Sequence, residues 1–149
     1  MTMKKFTLLF SLGFYLCAFA QEQMLVSVKE MNFSNEAPPR LEAKSIPEKD
    51  SPVLEVINPK VSSTVSSPTP VDIKFQASPQ SSIKPETFKV LYGTFQLDIT
   101  KRILTVAQVT TQGVNVEAAK LPAGRHKLTL TIEDTKGRTG IQVVEFEVK

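Results

Sequence analysis

The sequence predicts an all-β protein, a single antiparallel β-sandwich of about seven strands, and three observations support this prediction. Short apolar runs recur along residues 53–149 with turn-forming residues between them, a rhythm typical of sandwiches rather than helical bundles. Residues 71–77 and 128–132 alternate apolar and polar side chains, as half-buried strands do. A Gly-containing turn at residues 135–140 precedes the final apolar run, which predicts a closing hairpin.

The first two predicted strands lie in the first half of the sandwich. Residues 53–57 form one strand, and Pro59 ends it because proline cannot donate to a strand ladder. Residues 71–77 form the second strand, which has the clearest alternation in the chain. Phe75 lies on its apolar face, and Leu130 has the equivalent position in a later strand. Both side chains are therefore expected in the core.

A second pair of predicted strands flanks Gly93, a turn-forming residue. Residues 85–92 and 95–99 alternate apolar and polar side chains on either side of it, so each strand should direct one row of side chains into the sandwich. The expected inward set comprises Phe88, Val90, Tyr92, Phe95, Leu97 and Ile99.

The next segment leaves one alternative open and predicts one hairpin. Residues 100–104 suit a capped helical turn as well as a strand. Residues 111–113 predict a three-residue hairpin loop with Gly113 in the left-handed conformation. That loop would pair residues 107–110 with residues 114–118.

The last predicted strand contains two alternating apolar patterns that differ in phase by one residue. Ile141 and Val143 belong to one pattern, and Val144, Phe146 and Val148 belong to the other. A β-bulge inserts one residue and so reverses the facing of the residues that follow. The phase change therefore predicts a bulge near Val143.

The end of the chain resembles the end of bacterial immunoglobulin-like domains. Residues 121–126 read Leu-Pro-Ala-Gly-Arg-His before the last two strands, and Asp134 and Gly137 mark the turn between those strands. The resemblance covers residues 53–149 and implies an immunoglobulin-like sandwich. It also implies that His126 replaces a tyrosine that hydrogen-bonds back to a turn. It names no ligand, because this architecture serves adhesins, enzyme spacers, chaperones and sugar binders.

The N-terminus has the pattern of a signal peptide. Two lysines precede an apolar run at residues 6–19, and small residues then occupy the positions before a cleavage site. We expect residues 1–20 to be removed after Ala20, which places the mature protein in the periplasm or outside the cell. An uncleaved anchor is disfavoured by the short run. Lipidation of Cys17 is disfavoured because the large Leu16 precedes it.

Cleavage would change the charge and the redox chemistry of the chain. Loss of Lys4 and Lys5 lowers the formal net charge from +3 to +1, and loss of Cys17 leaves no cysteine. A nearly neutral surface does not favour nucleic acid. Without disulfides the exported domain depends on its apolar core.

Residues 21–52 form an N-terminal segment and a Pro-rich linker before the domain at residues 53–149. The apolar side chains of residues 24–33 alternate as in a strand and are also spaced as on a helix. So much apolar surface should be buried, either on the chain's own sandwich or in a protein partner. The length of the linker, residues 37–52, favours the partner.

Few residues suggest chemistry. His126 is the only histidine, and it lies in phase with core positions, so we expect a structural role. Glu133, Asp134 and Asp98 are the acidic residues most like calcium ligands, but calcium needs six to eight oxygens. Basic residues follow Asp134 closely, so a turn-capping role is expected for its carboxylate. No serine lies in a Gly-x-Ser-x-Gly motif.

These observations predict a protein that is not an enzyme, with no catalytic, cofactor-binding or metal-binding residues. The expected function is a non-catalytic, exported protein-interaction or structural module of the bacterial envelope, which binds by strand addition or through a loop end. The partner would be a protein, with no nucleic acid and no stable membrane insertion after cleavage. The alternative is an accessory carbohydrate- or cell-wall glycan-binding domain. It is disfavoured because most of the six aromatic residues of the mature chain fall in phase with core positions. These six are Phe33, Phe75, Phe88, Tyr92, Phe95 and Phe146.

Overall fold

A computed structural model describes residues 24–38 and 49–149 of the chain. The predicted signal peptide and most of the predicted linker lie outside these residues. The helices are α1 (Val28–Glu36) and α2 (Thr100–Leu104). The strands are β1 (Val53–Asn58), β2 (Thr64–Val65), β3 (Thr69–Gln76), β4 (Ile83–Tyr92), β5 (Leu97–Asp98), β6 (Gln108–Val109), β7 (Gly113–Ala119), β8 (Gly124–Asp134) and β9 (Thr139–Val148).

The strands form two sheets, which confirms the predicted all-β sandwich. One sheet has the order β1-β3-β7-β6, and the other has the order β2-β9-β8-β4-β5. The strand pairs are antiparallel except for β2 and β9, which are parallel. The described residues contain nine strands rather than about seven. The count includes β2, β5 and β6, each of which is only two residues long.

The core lies between the two sheets and contains both residues that the alternation pattern predicted. Phe75 and Leu130 are buried, and the Phe75 ring packs against Phe88 with the ring centroids 5.6 Å apart. Val90, Tyr92 and Ile99 are also buried, as expected for the inward rows of their strands. The apolar face of each sheet is therefore covered by the other.

The predicted bulge near Val143 is wrong. The pairing of β8 with β9 runs without a shift from Gly124 opposite Val148 to Glu133 opposite Thr139. The inward row of β9 includes Gly140, where a Cβ would collide with the Pro52 carbonyl oxygen. Ile141 consequently faces outward and is 49% exposed. The apparent phase change arose because glycine fills an inward position while an apolar side chain fills an outward one.

The hairpin that joins β6 to β7 is confirmed. Gly113 is needed there for a different reason than the predicted left-handed conformation. Val109 pairs with Val114, and the Thr110 N–H donates to the Gly113 carbonyl oxygen at 2.9 Å. Gly113 lies in β7 with a φ of 158°, not in the left-handed helical region. A Cβ there would collide with the Ile73 carbonyl oxygen. The glycine thus permits close approach of two strands.

The prediction that Phe95 and Leu97 face inward is wrong. Residues 93–96 form a turn, and β5 contains only Leu97 and Asp98. Phe95 is 41% exposed and Leu97 is 40% exposed. The strand ends because residues 100–104 adopt the helical alternative as α2.

The segment at residues 24–33 joins the sandwich, so the expectation that it stands apart from the sandwich on a tether is wrong. It forms the helix α1 rather than a strand, and Leu25, Val26 and Met31 are buried in the same core cluster as the strands. The Leu25 N–H donates to the Lys120 carbonyl oxygen at 3.0 Å. Leu25, Val26 and Met31 therefore cover the chain's own core, whereas Met24, Val28 and Phe33 stay exposed.

The packing around Phe75 predicts the effect of removing its ring. Phe75→Ala should lower the free energy of unfolding by about 3–5 kcal/mol, because the ring is buried and a cavity would remain. Phe33→Ala, which removes a largely exposed ring, should cost less than about 1.5 kcal/mol. Urea denaturation of both variants measures the difference. Equal losses for the two variants would contradict the assigned core.

Candidate functional site

His126 has the structural position that the resemblance implied. It is 2% exposed, and its Nε2–H donates to the Pro122 carbonyl oxygen at 2.8 Å. Because a carbonyl oxygen can only accept, the single proton of the neutral imidazole lies on Nε2, and Nδ1 accepts the Tyr92 hydroxyl at 2.9 Å. Burial lowers the pKa of His126, although the bond to Pro122 partly opposes that shift. Both ring nitrogens are used within the core, so the ring is not available to an external ligand.

Asp134 caps the turn between β8 and β9. Its Oδ1 accepts from the backbone N–H groups of Lys136 at 2.9 Å and Arg138 at 3.0 Å, and its Oδ2 accepts from Arg138 Nε at 2.8 Å. Burial by itself would raise the pKa of Asp134, but the hydrogen bonds from Arg138 and Lys136 hold it at about 2. The carboxylate thus acts within its own turn, as the sequence predicted.

The three calcium candidates do not converge. Glu133 and Asp134 lie at the end of β8, whereas Asp98 lies beside Leu91 in the β4–β5 pair. Asp98 Oδ1 accepts the Thr100 N–H at 2.9 Å, and the hydrogen bonds from Thr100 lower the pKa of Asp98. Within residues 24–38 and 49–149, no three His, Cys, Asp or Glu side chains are grouped so that they could hold a metal ion.

Two of the six aromatic residues that the structure describes lie at the surface and form the candidate site. Phe33 of α1 and Phe95 of the β4–β5 turn are stacked, with ring centroids 4.4 Å apart and ring planes 19° apart. Phe33 is 62% exposed. We call this pair the aromatic ledge. Tyr92 and the other three phenylalanines are buried, as predicted.

Two hydrogen bonds donated by Thr94 to Ser34 hold the two sides of the aromatic ledge together. The Thr94 N–H donates to Ser34 Oγ at 3.0 Å, and the Thr94 hydroxyl donates to the Ser34 carbonyl oxygen at 3.1 Å. The neighbouring Gly93 has a φ of 68°, and a Cβ there would collide with Ser34. Gly93 therefore permits both the turn and the close approach of α1. The relative position of the two rings is fixed by the backbone on each side.

An ion pair fixes the other end of α1. Arg102 of α2 donates to Glu30 through both Nη atoms, at 2.8 and 2.9 Å, and its Nη1 also donates to the Leu25 carbonyl oxygen at 3.2 Å. Glu30 forms a capping box with Ser27, in which each side chain accepts from the other's backbone N–H. The hydrogen bonds from Arg102, supported by those from Ser27, lower the pKa of Glu30 to about 2. The carboxylate stays ionised at neutral pH and anchors the helix.

A polar groove of about 530 Å³ lies beside the aromatic ledge, between the end of α1 and the outer face of β8 and β9. Its charged lining has both signs, because Arg125 and Lys127 on β8 lie opposite Glu147 and Glu145 on β9. Lys127 Nζ lies 3.7 Å from Glu145 Oε1. The opposite charges balance, so the groove does not select an anion or a cation.

The sequence did not reveal the aromatic ledge, although one signal for it is present. Strand alternation at residues 95–99 wrongly placed Phe95 inward, and the phase of residues 24–33 was ambiguous. The spacing of Ser27 and Glu30 is the capping-box pattern that marks a helix start. A helix that begins there and buries Met31 leaves Phe33 on another face.

Comparison with known proteins identifies no family for this chain. No protein-family model matches the chain, and no curated protein matches it. Among solved structures, the chain is similar to an endo-β-1,4-mannanase from Thermotoga petrophila, with a TM-score of 0.49 and 13% identity over 68% of this chain and 20% of that one. An engineered protein has a TM-score of 0.45 and 15% identity over 66% of this chain and 20% of its own. CopC from Methylosinus trichosporium OB3b has a TM-score of 0.44 and 13% identity over 64% of this chain and 93% of its own.

The chain thus spans about a fifth of the mannanase. In the part of the chain that the structure describes, neither helix has the length and apolar character needed to cross a bilayer.

The neutral, buried His126 predicts a pH dependence of stability. Its pKa is lower in the folded state, so between pH 7 and pH 5 the unfolded chain binds more protons at this residue and stability falls as the pH falls below about 6.5. His126→Phe should remove this part of the dependence, because phenylalanine does not titrate. Urea denaturation at several pH values measures both slopes. The carboxylates of Glu30 and Asp134 titrate at lower pH, so equal slopes for the two proteins would contradict the assignment.

Proposed function

We propose that this chain is a non-catalytic interaction module of the bacterial envelope, an exported immunoglobulin-like sandwich that binds a protein partner. The observation that carries the proposal is the aromatic ledge, two stacked phenylalanines held at the surface by hydrogen bonds to the sandwich. Export rests on the signal-peptide pattern of residues 1–20, with the mature chain beginning after Ala20.

An exposed aromatic pair on a rigid framework suits protein recognition. Interfaces derive much of their affinity from a few aromatic anchors in desolvated positions. The Ser34–Thr94 hydrogen bonds and the Glu30–Arg102 ion pair hold α1 before binding, so little ordering is required when a partner docks.

The surroundings of Phe33 indicate the chemistry of the partner. Val28 and Phe33 line a shallow depression on α1, and both are exposed. Lys29, Glu30 and Glu36 add one positive and two negative charges at its margin, and Glu30 is paired with Arg102. This arrangement suits an apolar side chain that enters the depression, with polar groups around it.

The environment of the titratable residues supports a non-catalytic function. His126 uses both ring nitrogens in the core, and Asp134 uses both oxygens in its turn. Neither group has an open side toward a substrate, so neither suits general acid–base chemistry at the surface.

A glycan-binding function is the second candidate, and the same aromatic ledge favours it. Sugar rings stack on exposed aromatic faces, and Phe33 presents most of its ring to solvent. The flanking Asn32 and Glu36 have polar groups suited to sugar hydroxyls. The two candidates therefore share a surface and differ in the ligand.

Substitution of the aromatic ledge tests the proposal. A partner of the full chain is first identified by crosslinking in the envelope and then purified. The double variant Phe33→Ala and Phe95→Ala should weaken binding of that partner at least about tenfold, because two anchor rings are removed. The control Leu104→Ala, which truncates an exposed apolar side chain on α2, should bind as the parent does.

Two outcomes decide between the candidates. If the double variant folds and binds the purified partner as tightly as the parent does, the proposed protein-binding surface is wrong. If no protein partner is found and soluble cell-wall glycan binds the parent but not the double variant, the glycan function replaces it.

A further inference from the structure

One long strand edge of the sandwich is only half covered. β2 pairs with the end of β9, where the Ser62 N–H donates to the Glu145 carbonyl oxygen at 2.7 Å and the Glu147 N–H donates to the Ser63 carbonyl oxygen at 2.9 Å. The odd-numbered residues of β9 therefore direct their backbone groups toward this edge, since alternate residues of a strand face opposite neighbours.

The same alternation directs the backbone groups of Thr139, Ile141 and Val143 toward the half of the edge that pairs with no strand within residues 49–149. Pro52 and Leu54 pack against the inward face of this half at Gly140 and leave its lateral edge unpaired. The pairings within residues 49–149 bring β2 only as far as Glu147 and Val148. Gln142 Nε2 donates to the Val143 carbonyl oxygen at 2.9 Å. The three residues are uncharged, whereas natural edge strands are commonly protected by charge or proline. This half of β9 has the properties of a pairing edge.

We infer that this edge pairs antiparallel with the same segment of a second copy of the chain, around a two-fold axis at Ile141. Each Ile141 would then face Ile141 of the second copy, and each Thr139 would face Val143 of the second copy. About six backbone hydrogen bonds form, two for each facing pair. The Val143 carbonyl oxygen, which has two lone pairs, accepts from Thr139 of the second copy in addition to Gln142 Nε2. The inference is independent of the aromatic ledge, which lies on α1 and the β4–β5 turn.

In this register the side chains along the β9 edge of one copy complement those along the same edge of the second copy. The exposed Ile141 side chains meet across the axis on the outer face of the sheet, which removes apolar surface from water. No like charges lie directly opposite each other. Glu145, whose side chain is 63% exposed, comes beside the turn that carries Lys136 in the second copy, so opposite charges meet at both ends. A two-fold interface requires this self-complementarity.

Sedimentation velocity on the full chain over a range of concentrations tests the inference. The parent should associate to a dimer, and Ile141→Lys should weaken dimerisation at least about tenfold, because two ammonium groups would face each other at the axis. The matched control is Leu97→Lys, which introduces the same charge at an exposed apolar residue on the opposite edge of the sheet. It should leave dimerisation unchanged.

A crosslink tests the register even if Ile141→Lys fails to fold. In a Cys17→Ser background, Ile141→Cys should form a disulfide between copies under mild oxidation, because facing residues in a hydrogen-bonded pair have Cα atoms about 5.5 Å apart. Leu97→Cys in the same background should not. A parent that is monomeric at every concentration, or equal crosslinking of the two variants, would overturn the inference. The inference would also be overturned if this edge of β9 binds another envelope protein and does not pair with a second copy of the chain.

Discussion

The docking of α1 onto the sandwich is the interaction on which the other features depend. Val26 is fully buried ahead of the helix, and Met31 lies over Gly124, where a Cβ would come within 2.6 Å of the Met31 sulfur. Gly93 makes the same kind of room for Ser34. Two glycines of the sandwich are therefore needed because of a helix that precedes it by many residues. The helix and the strands share one core, and the position of the aromatic ledge follows from that shared core.

Strand alternation predicted burial correctly in the strands that the opposite sheet covers. Phe75 and Leu130 are buried because each lies in a strand that the other sheet covers along its length. The same reasoning failed at Phe95, where a turn replaces the expected strand, and at Ile141, where glycine takes the inward place. Alternation reports which face a residue occupies within a regular strand. Alternation does not show whether the strand forms at all. It also does not show whether another backbone approaches so closely that only glycine fits at the inward position.

The functional surface was less predictable than the fold for a physical reason. The roles of His126 and Asp134 depend on partners within four residues of chain or in the adjacent strand β4, so local pattern was sufficient for both. The aromatic ledge depends on Phe33 and Phe95, which are far apart in sequence and meet only because α1 docks where it does. A nine-residue helix is too short to be stable alone in water. Its existence and its facing are therefore set by tertiary contacts.

Amide hydrogen exchange of α1 tests most directly whether the helix belongs to the fold. We expect the amides of residues 31–36 to exchange with an opening free energy close to that of the β8 amides, because separation of α1 from the sandwich would expose the shared core. The ion pair between Glu30 and Arg102 and the burial of Leu25, Val26 and Met31 would then be lost together with the strands. Exchange of residues 31–36 at the rate of an unstructured peptide, while β8 remains protected, would contradict the account.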